Sequence, residues 1–354
     1  MPRPPAEPPA SLGEIAERVG DHLDALLRRE EKRWAGVDGD LVAPIAALRH
    51  LVAGGGKRLR PAFCHWAFVG AGGEPGDHRL VTAAAAVELL HTFALVHDDV
   101  MDGADVRRSQ PSIHRTFIEM HRDRGWRGEA RRFGEGAAIL VGDFAFVYAD
   151  TLMAGAGEEA WRVFDELRLE LCVGQYLDLA TTASRHFDLE RARRIERFKS
   201  GKYTVERPLH LGAALAGRLG DLAGPLSRIG LPLGEAFQLR DDVLGTFGDA
   251  EALGKPVGAD LRDGKLTPLV AVAWRSADAT QRKVLERIGE PDLDEAGVDA
   301  ARRVVVETGA LARAEDRIDD LLADALAAID AAPLTGGAAE ELAALARFVA
   351  WRDR

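Results

Sequence analysis

The sequence predicts an all-α protein that folds as one domain. Alanine and leucine recur throughout its 354 residues, there are only three tyrosines, and runs of β-branched residues are short. This composition favours helix. Apolar stretches are separated by glycine and proline, the residues that most often interrupt helices. Because no flexible linker divides the middle of the chain, we expect a proline-rich, disordered tail at residues 1–10 and a single helical domain over residues 11–354.

Composition and charge exclude several classes of function. Apolar residues make up 47% of the chain and charged residues 29%, as in a globular protein with a large core. The net charge of −11 argues against nucleic acid as a partner, because phosphate backbones select basic surfaces. The N-terminus lacks the apolar core of a signal peptide, and Asp143 interrupts the best apolar run, at 137–149. We therefore expect no integral membrane segment and a cytoplasmic location. Cys64 and Cys172 lie in apolar stretches and are expected to be buried free thiols.

Helix breaks are expected where glycine and proline cluster, at residues 54–56, 71–76, 155–157, 220–225, 289–291 and 333–337. Residues 121–136 differ from the rest because they carry many arginines and glycines and few apolar positions. They are expected to form a solvated loop, with a flap over the substrate as the alternative. The sequence contains no convincing strand pair and no glycine motif for a dinucleotide.

A basic, glycine-rich turn is the first candidate binding element along the chain. Three glycines at 54–56 precede Lys57 and Arg60, and Pro61 suits the first turn of a helix. Lys57 and Arg60 would then lie at the positive end of that helix, where backbone N–H groups attract anions. This segment is therefore a candidate anion site.

An aspartate cluster ends an apolar helical run over residues 87–97. Asp98 and Asp102 would share one helix face, with Asp99 beside it. Three carboxylates this close would raise one another's pKa values unless cations lay between them, and such oxygen ligands suit Mg²⁺. A solvated acidic helix end is the alternative, but an exposed end would not follow so apolar a run.

Basic side chains accompany this cluster. Arg107 and Arg108 follow it and would complete a diphosphate site, because guanidinium groups match phosphate oxygens in pairs. His91 lies two turns before Asp98 on nearly the same face. Because His91 lies near these aspartates and arginines, we expect it to contact a ligand, with a buried core histidine as the alternative.

A second helix ends in paired carboxylates, Asp241 and Asp242, with Gln238 one turn before Asp242. Two acidic clusters that face each other across a helical cavity can hold more than one metal ion on a single diphosphate. Two lysines lie before this second cluster in the chain and two lie after it, and they would add positive charge to stabilise a leaving group. These lysines are Lys199, Lys202, Lys255 and Lys265.

Together these motifs resemble the trans-isoprenyl diphosphate synthases, or polyprenyl synthetases, over residues 54–268. The similar segments are Gly-Gly-Lys-Arg-Leu-Arg-Pro at 55–61, His-Asp-Asp-Val-Met-Asp at 97–102, Gly174-Gln175, Lys199-Ser200 and Phe-Gln-Leu-Arg-Asp-Asp at 237–242. The resemblance implies an all-α bundle around a deep central cavity, usually in a homodimer. It also implies that the chain condenses isopentenyl diphosphate with dimethylallyl, geranyl or farnesyl diphosphate.

The resemblance gives each motif a role. Isopentenyl diphosphate would be bound by Lys57, Arg60, His91 and Arg108. The allylic diphosphate would be contacted by Arg107, Lys199, Gln238 and Lys255, with Lys202 and Lys265 as further cations. Mg²⁺, at three ions per site and replaceable by Mn²⁺, would be held by Asp98, Asp99, Asp102, Asp241 and Asp242.

One position departs from the family pattern. The second cluster normally ends in aspartate, but Gly245 stands at that position. Asp242, Asp249 or Asp260 would compensate through water. Otherwise the third metal ion would be held more weakly, or the subunit would be impaired.

Two residues before the first cluster bear on product length. Ala94 lies one turn before Asp98, so the space beneath the metal ions is expected to be open, while the bulky Phe93 would partly close it. An aromatic residue followed by a small one resembles the geranylgeranyl diphosphate synthases. Farnesyl or longer products are the alternative.

Three other functions compete with this interpretation. A terpene cyclase would leave Lys57, Arg60 and the second aspartate pair without a role. A ferritin-like di-iron protein is suggested by Glu88 and His91, but it needs a second Glu-x-x-His motif, and none is placed to pair with the first. A non-catalytic partner subunit is supported only by Gly245.

Overall fold

A computed structural model describes residues 6–184, 188–248 and 258–352. Most of these residues are helical and very few are in strands, which confirms the predicted all-α fold. The elements in chain order are α1 (Ala10–Ala35), a 3₁₀ turn (Gly39–Leu41), α2 (Val42–Ala53), α3 (Leu59–Gly70), α4 (His78–Asp102), β1 (Val106–Arg107), β2 (Gln110–Pro111), α5 (Ile113–Asp123), α6 (Ala130–Met153), α7 (Glu158–Ser184), α8 (Leu189–Ile195), a π-helix (Glu196–Glu206), α9 (Arg207–Leu215), α10 (Leu219–Phe247), α11 (Ala259–Arg262), α12 (Pro268–Ser276), α13 (Ala279–Leu285), α14 (Glu295–Glu307), α15 (Ala310–Ala331) and α16 (Ala338–Trp351).

The main hydrophobic core surrounds α4. This helix packs chiefly against α6 and also against α3 and α1, and its residues 83–90 are all buried. Side chains of α7, α9, α10, α15 and α16 complete the same core. A smaller core lies between the end of α10 and helices α11 to α14. The two acidic clusters lie near the C-terminal ends of α4 and α10, and both helices are packed into this core.

A short hairpin follows the first aspartate cluster, although no strand pair is predicted there. Val106 pairs with Pro111 and Arg107 with Gln110. The two turn residues, Arg108 and Ser109, both have positive φ angles, of 53° and 60°. This backbone normally favours asparagine and glycine, so an Arg-Ser turn carries no sequence signature.

The helix break predicted at residues 220–225 is wrong. The interruption lies before Leu219, and α10 then runs through Pro225 and Pro232 to Phe247. Proline removes a backbone hydrogen bond from a helix interior. Here the loss is outweighed by packing of apolar side chains that recur at helical spacing and are fully buried, namely Leu222, Leu226, Ile229 and Leu233.

The arginine-rich stretch at 121–136 is only partly a loop. Residues 121–123 end α5 and residues 130–136 begin α6. Trp126 and Phe133 pack edge to face with their ring centroids 5.1 Å apart, and Arg131 pairs with Glu135 at 2.6 Å. The aromatic contact and the ion pair stabilise helix where composition alone indicated a loop.

Two further expectations need correction. Cys64 is buried, but Cys172 is exposed, because it lies on the outward face of α7 beside the exposed Val173.

The second expectation concerns the length of the apolar segments. By length and composition alone, α4 and α6 are long and apolar enough to cross a membrane, although Asp143 lies within α6. Core helices meet the same test, and 61% of the most apolar window of α4 is buried inside the fold, against 39% for α6.

Candidate active site

A cavity of about 380 Å³ opens between α4, α7, the π-helix and α10. Its wall combines apolar side chains with carboxylates from both predicted clusters. The predicted site residues that line it are Arg60, His91, Ala94, Asp98, Lys199, Gln238, Asp241, Asp242 and Lys265. The fold therefore brings residues from most of the predicted motifs to one space.

The first cluster lies at the C-terminal end of α4, and its three carboxylates have different partners. Asp98 accepts hydrogen bonds from Lys199 at 3.0 Å and from Gln175 at 3.0 Å. Asp99 is buried and pairs with Arg107, whose Nε lies 2.8 Å away. Burial opposes the charge of Asp98, but Lys199 and the nearby Lys265 and Arg107 outweigh it and hold its pKa well below the usual value. Asp98 is therefore ionised at neutral pH.

Lys199 reaches the first cluster because the π-helix packs directly against α7. A Cβ atom on Gly174 would lie 2.3 Å from the backbone nitrogen of Lys199, so only glycine allows this approach. Lys199 then pairs with Asp178 at 2.6 Å as well as with Asp98. Burial opposes its positive charge, but the two carboxylates raise its pKa. π-Helices often mark functional sites, and this one fixes a cation beside the first cluster.

The second cluster lies near the C-terminal end of α10. Gln238 donates a hydrogen bond to Asp242 at 2.8 Å, as the helical spacing predicted. Asp242 is buried, and its Oδ2 accepts no hydrogen bond. Burial, and then the charge of Asp260, raises the pKa of Asp242 well above its ordinary value. Glu196 of the π-helix is buried too, and burial followed by the charge of Asp242 raises its pKa.

Asp241 is more exposed than Asp242 and makes a different contact. The guanidinium of Arg352, close to the C-terminus, forms an ion pair with Asp241 and donates a hydrogen bond to the carbonyl of Phe237 at 3.2 Å. The side chain of Arg352 is only 1% exposed, whereas that of Asp241 is 44% exposed. Arg352, directly after α16, is therefore held against the second cluster.

Lys265 links the two sides of the cavity. Its Nζ lies 3.1 Å from Oδ2 of Asp102. Burial opposes its charge, but Asp102, Asp98 and Asp260 raise its pKa above the ordinary value for lysine. Because Lys265 follows α10 in the chain, it brings a positive charge from the segment after the second cluster to the carboxylate of Asp102 in the first.

A basic region lies beside the first cluster. Arg60 donates a hydrogen bond to Thr204 at 2.8 Å and lies over the ring of Tyr203 at 4.4 Å. Burial, followed by the charges of Arg60 and Arg108, holds the pKa of His91 well below its usual value, so its ring is neutral. Arg108 donates a hydrogen bond to the carbonyl of Gly55, in the glycine-rich turn. The predicted anion-binding element and the hairpin arginine therefore meet.

Some predicted site residues do not line this cavity. Lys202 points away from it and pairs with Glu170, which also binds Arg207 at 2.7 Å. Phe93 packs against Phe146, with ring centroids 5.0 Å apart, and is not part of the cavity wall. Four other predicted residues, Lys57, Asp102, Arg107 and Arg108, are also absent from the wall, as is the buried Asp99. Lys255 and Asp249 lie outside the described residues.

Several cavity residues were missed from the sequence. Leu171, Gln175 and Asp178 line the cavity from one face of α7. Their spacing of four and three residues is a helical signal that could have identified them. Tyr203 and Glu196 also line the cavity, but they lie in the π-helix, whose faces cannot be read with an α-helical period.

The residues present suit a divalent cation such as Mg²⁺. The available donors are carboxylate oxygens, which Mg²⁺ prefers, and the buried Oδ2 of Asp242 has no partner. In the described part of the chain, no three His, Cys, Asp or Glu side chains are grouped closely enough to hold a metal ion as they stand. In this structure, Asp98, Asp102 and Asp241 are instead neutralised by Lys199, Lys265 and Arg352.

Known proteins share both the sequence pattern and the fold. The sequence profile of the polyprenyl synthetase family matches residues 45–305. A geranylfarnesyl diphosphate synthase of Aeropyrum pernix is 33% identical over 76% of this chain and 81% of its own length. A geranylgeranyl diphosphate synthase of Methanosarcina mazei is 34% identical over 75% of this chain and 76% of its own. The crystal structure of a Corynebacterium glutamicum geranylgeranyl pyrophosphate synthase, complexed with isoprenyl diphosphate and magnesium, superposes with a TM-score of 0.91 at 33% identity, covering 96% of this chain and 99% of that one.

Proposed function

Because the chain belongs to the polyprenyl synthetase family and is a prenyltransferase, we propose that it condenses isopentenyl diphosphate with an allylic diphosphate. The allylic substrate would be dimethylallyl, geranyl or farnesyl diphosphate. One observation carries the proposal: aspartates from both clusters, Asp98 from the first and Asp241 and Asp242 from the second, line a single cavity together with Lys199 and Lys265. A diphosphate held there would meet cations from both sides.

The reaction breaks the allylic C–O bond, and pyrophosphate leaves with the electron pair. The double bond of isopentenyl diphosphate attacks the allylic cation to form the new C–C bond, and a proton is then lost to the released pyrophosphate. Lys199, Lys265 and Arg107 would stabilise the negative charge that develops on the leaving group. The apolar part of the wall, which includes Leu95 and Leu171, would keep water from the cation.

Mg²⁺ would be held by Asp98 and Asp102 on one side and by Asp241 and Asp242 on the other. When bound, it would neutralise diphosphate oxygens and so favour their departure. We propose three ions per site, with Mn²⁺ able to replace Mg²⁺. Support comes from the oxygen-only donor set and from the magnesium named with the Corynebacterium glutamicum enzyme.

Isopentenyl diphosphate would bind in the basic region formed by Arg60, His91 and Arg108, with Lys57 from the same turn. Arg60 is fixed by Thr204, and Arg108 by the glycine-rich turn. His91 is neutral, and its Nδ1 has no hydrogen-bond partner. Its imidazole can therefore donate to a phosphate oxygen without first breaking another contact at that atom.

The product we propose is geranylgeranyl diphosphate, with farnesyl or longer products as the alternative. The small side chain of Ala94 lines the cavity one turn before Asp98, which leaves room for a growing chain. Phe93 packs against Phe146 and leaves this wall open. Ala94→Phe would fill the space, so we expect it to shorten the product, as measured by mass spectrometry. An unchanged product distribution would contradict this role for Ala94.

We also propose a cytoplasmic homodimer. Several large apolar side chains are exposed on α6 and α7, which would bury them against a second copy. They include Leu140, Val147, Leu169, Val173 and Tyr176, the last at 72% exposure. Light scattering should give twice the monomer mass, and Leu169→Glu with Val173→Glu should give the monomer. A monomeric parent protein would contradict the dimer.

A further inference from the structure

A second groove, of about 790 Å³, lies between α8, the π-helix, α10 and α15. The π-helix separates it from the candidate active site, because Lys199 and Ser200 line the active-site cavity whereas Arg197 and Gly201 line the groove. Glu196 lines both spaces. Ligand sites usually enclose about 300–1,000 Å³. The groove is therefore large enough to bind a small molecule outside the active site.

Apolar side chains of α10 and α15 form one part of the groove wall. Leu231 and Pro232 come from α10, and Leu321 comes from α15, where it is 2% exposed and belongs to the main core. Ala328 and Ala331 continue the same face of α15 at helical spacing. Since these helices are packed into the core, this apolar wall is already formed in the absence of a ligand.

Basic side chains line the same groove. They outnumber the carboxylates there by six to four, although the whole chain has a net charge of −11. Two of the four carboxylates are already paired within the groove, Glu190 with Arg193 at 3.1 Å and Glu235 with Arg317 at 3.0 Å. The groove is therefore a local basic region on an acidic protein. Its six cations are Arg193, Arg194, Arg197, Lys202, Arg228 and Arg317.

Arg197 and Arg228 differ from the other cations of the groove. Arg197 lies on the π-helix and Arg228 on α10, and both are exposed. Neither guanidinium group forms an ion pair or a hydrogen bond with any residue in the described part of the chain. Guanidinium groups match phosphate oxygens in pairs. Two arginines from different helices are thus available to an anion in this groove.

We propose that this groove binds an isoprenyl diphosphate at a second site, with Arg197 and Arg228 on the diphosphate and the apolar wall against the prenyl chain. The combination of free arginines and an apolar wall selects a ligand with an anionic end and an apolar chain. The inference rests on the proposed function, which supplies such molecules as substrate and product. Arginines provide the positive charge, so binding in the groove needs no Mg²⁺. The apolar side chains proposed to form the dimer face lie elsewhere, on α6 and α7.

Isothermal titration of farnesyl diphosphate into the protein in EDTA tests the groove. The parent should bind, and the double variant Arg197→Gln with Arg228→Gln should bind about tenfold more weakly or worse, because two charge-assisted contacts are lost. Arg303→Gln with Arg347→Gln is the matched control, since it removes two exposed arginines outside the groove. This control should bind as the parent does. Thermal unfolding confirms that each variant folds.

Ala327→Trp tests the same space without changing charge. Ala327 is exposed and lines the groove, so the indole would occupy the volume proposed for the prenyl chain. We expect this variant also to weaken binding of farnesyl diphosphate by about tenfold. Neither it nor the arginine variant changes a residue of the active-site cavity, so both should still elongate substrates with Mg²⁺. Elongation is measured separately, and the proposed function and this inference can therefore fail independently.

Farnesol and inorganic pyrophosphate, titrated in the same way, should each bind more weakly than farnesyl diphosphate, since each offers only one of the two contacts. Pyrophosphate that bound as tightly would show an anion site without a place for the chain and would overturn the inference. Equal affinity of the parent and the groove variants, or no binding by the parent in EDTA, would also overturn it. Preference for phosphatidylglycerol vesicles over farnesyl diphosphate would assign the groove to a membrane surface instead.

Discussion

Nζ of Lys199 lies 3.0 Å from Oδ1 of Asp98, although 101 residues separate them in the chain. The same nitrogen lies 2.6 Å from Oδ2 of Asp178. A lysine that would bind the departing diphosphate is therefore held between a proposed metal ligand and a second carboxylate. Because Lys199 pairs with Asp178 as well as with Asp98, its attraction to Asp98 is weaker than it would be with Asp98 alone. Lys199 therefore competes less strongly with a metal ion for Asp98.

Asp178→Asn tests this sharing. Without the second carboxylate, Lys199 should pair more tightly with Asp98, because a single opposite charge then attracts it. We expect the Mg²⁺ concentration for half-maximal activity to rise several-fold, with a smaller change in kcat at saturating Mg²⁺. Steady-state assays across a Mg²⁺ series measure both. Glu166→Gln, an exposed change on α7, should leave the series unchanged, and an unaltered Mg²⁺ dependence in Asp178→Asn would contradict the role of Asp178.

Gly174→Ala should disrupt the approach of the π-helix to α7. The added Cβ would lie 2.3 Å from the backbone nitrogen and 2.6 Å from Cα of Lys199, and backbone atoms cannot move aside as a side chain can. Displacing Lys199 by about 1 Å should lower kcat/KM by about 10²-fold. Gly136→Ala, where a Cβ meets nothing within 4 Å, is the helical control. Equal activity of the two variants would contradict the close-approach argument.

Glu88 has a structural role instead of the metal-ligand role that its spacing to His91 suggests. It is 3% exposed and forms an ion pair with the buried Arg58. Glu88→Gln would leave Arg58 charged and buried without its partner, so the free energy of unfolding should fall by about 3–5 kcal/mol. Urea unfolding measures this loss. The exposed Glu119→Gln should change stability by less than about 0.5 kcal/mol, and a similarly small effect for Glu88→Gln would show that the pair is not stabilising.

His65 should make stability depend on pH. Burial, with a smaller effect of Arg18, lowers the pKa of His65 to about 4 from the ordinary value of 6.5. Between these values the unfolded chain binds a proton that the folded chain does not, so stability falls as pH falls from 6.5 towards 4. The free energy of unfolding of His65→Gln should fall by about 2 kcal/mol less than that of the parent over this pH range. This figure allows for partial solvent contact of the ring. Urea unfolding at pH 7 and pH 4.5 measures the difference, and equal pH slopes for parent and variant would contradict it.

The sequence predicted those parts of the site that depend on helical spacing. Asp98 lies one turn from Ala94, and Gln238 one turn from Asp242, so their shared faces follow from the period of the helix alone. Arg60 and His91 could likewise be assigned to a site by chemistry and position. These residues line one cavity in the structure.

The remaining parts depend on tertiary packing that spacing does not disclose. The sequence predicts Lys202 as a further cation for the substrate, but in the fold it pairs with Glu170. Asp260 and Arg352 reach the second cluster from other segments, over separations that no periodicity records. The hairpin was missed because its positive φ angles occur at Arg108 and Ser109, which are not typical turn residues.

Product analysis by mass spectrometry tests the proposed condensation most directly. The purified protein would be incubated with isopentenyl diphosphate, Mg²⁺ and, in turn, dimethylallyl, geranyl and farnesyl diphosphate. We expect an elongated prenyl diphosphate with twenty carbons as the main product, lost when EDTA is added and lost in Asp98→Ala. Folded parent protein that elongates none of the three substrates would contradict the proposed reaction and would favour a non-catalytic partner subunit instead.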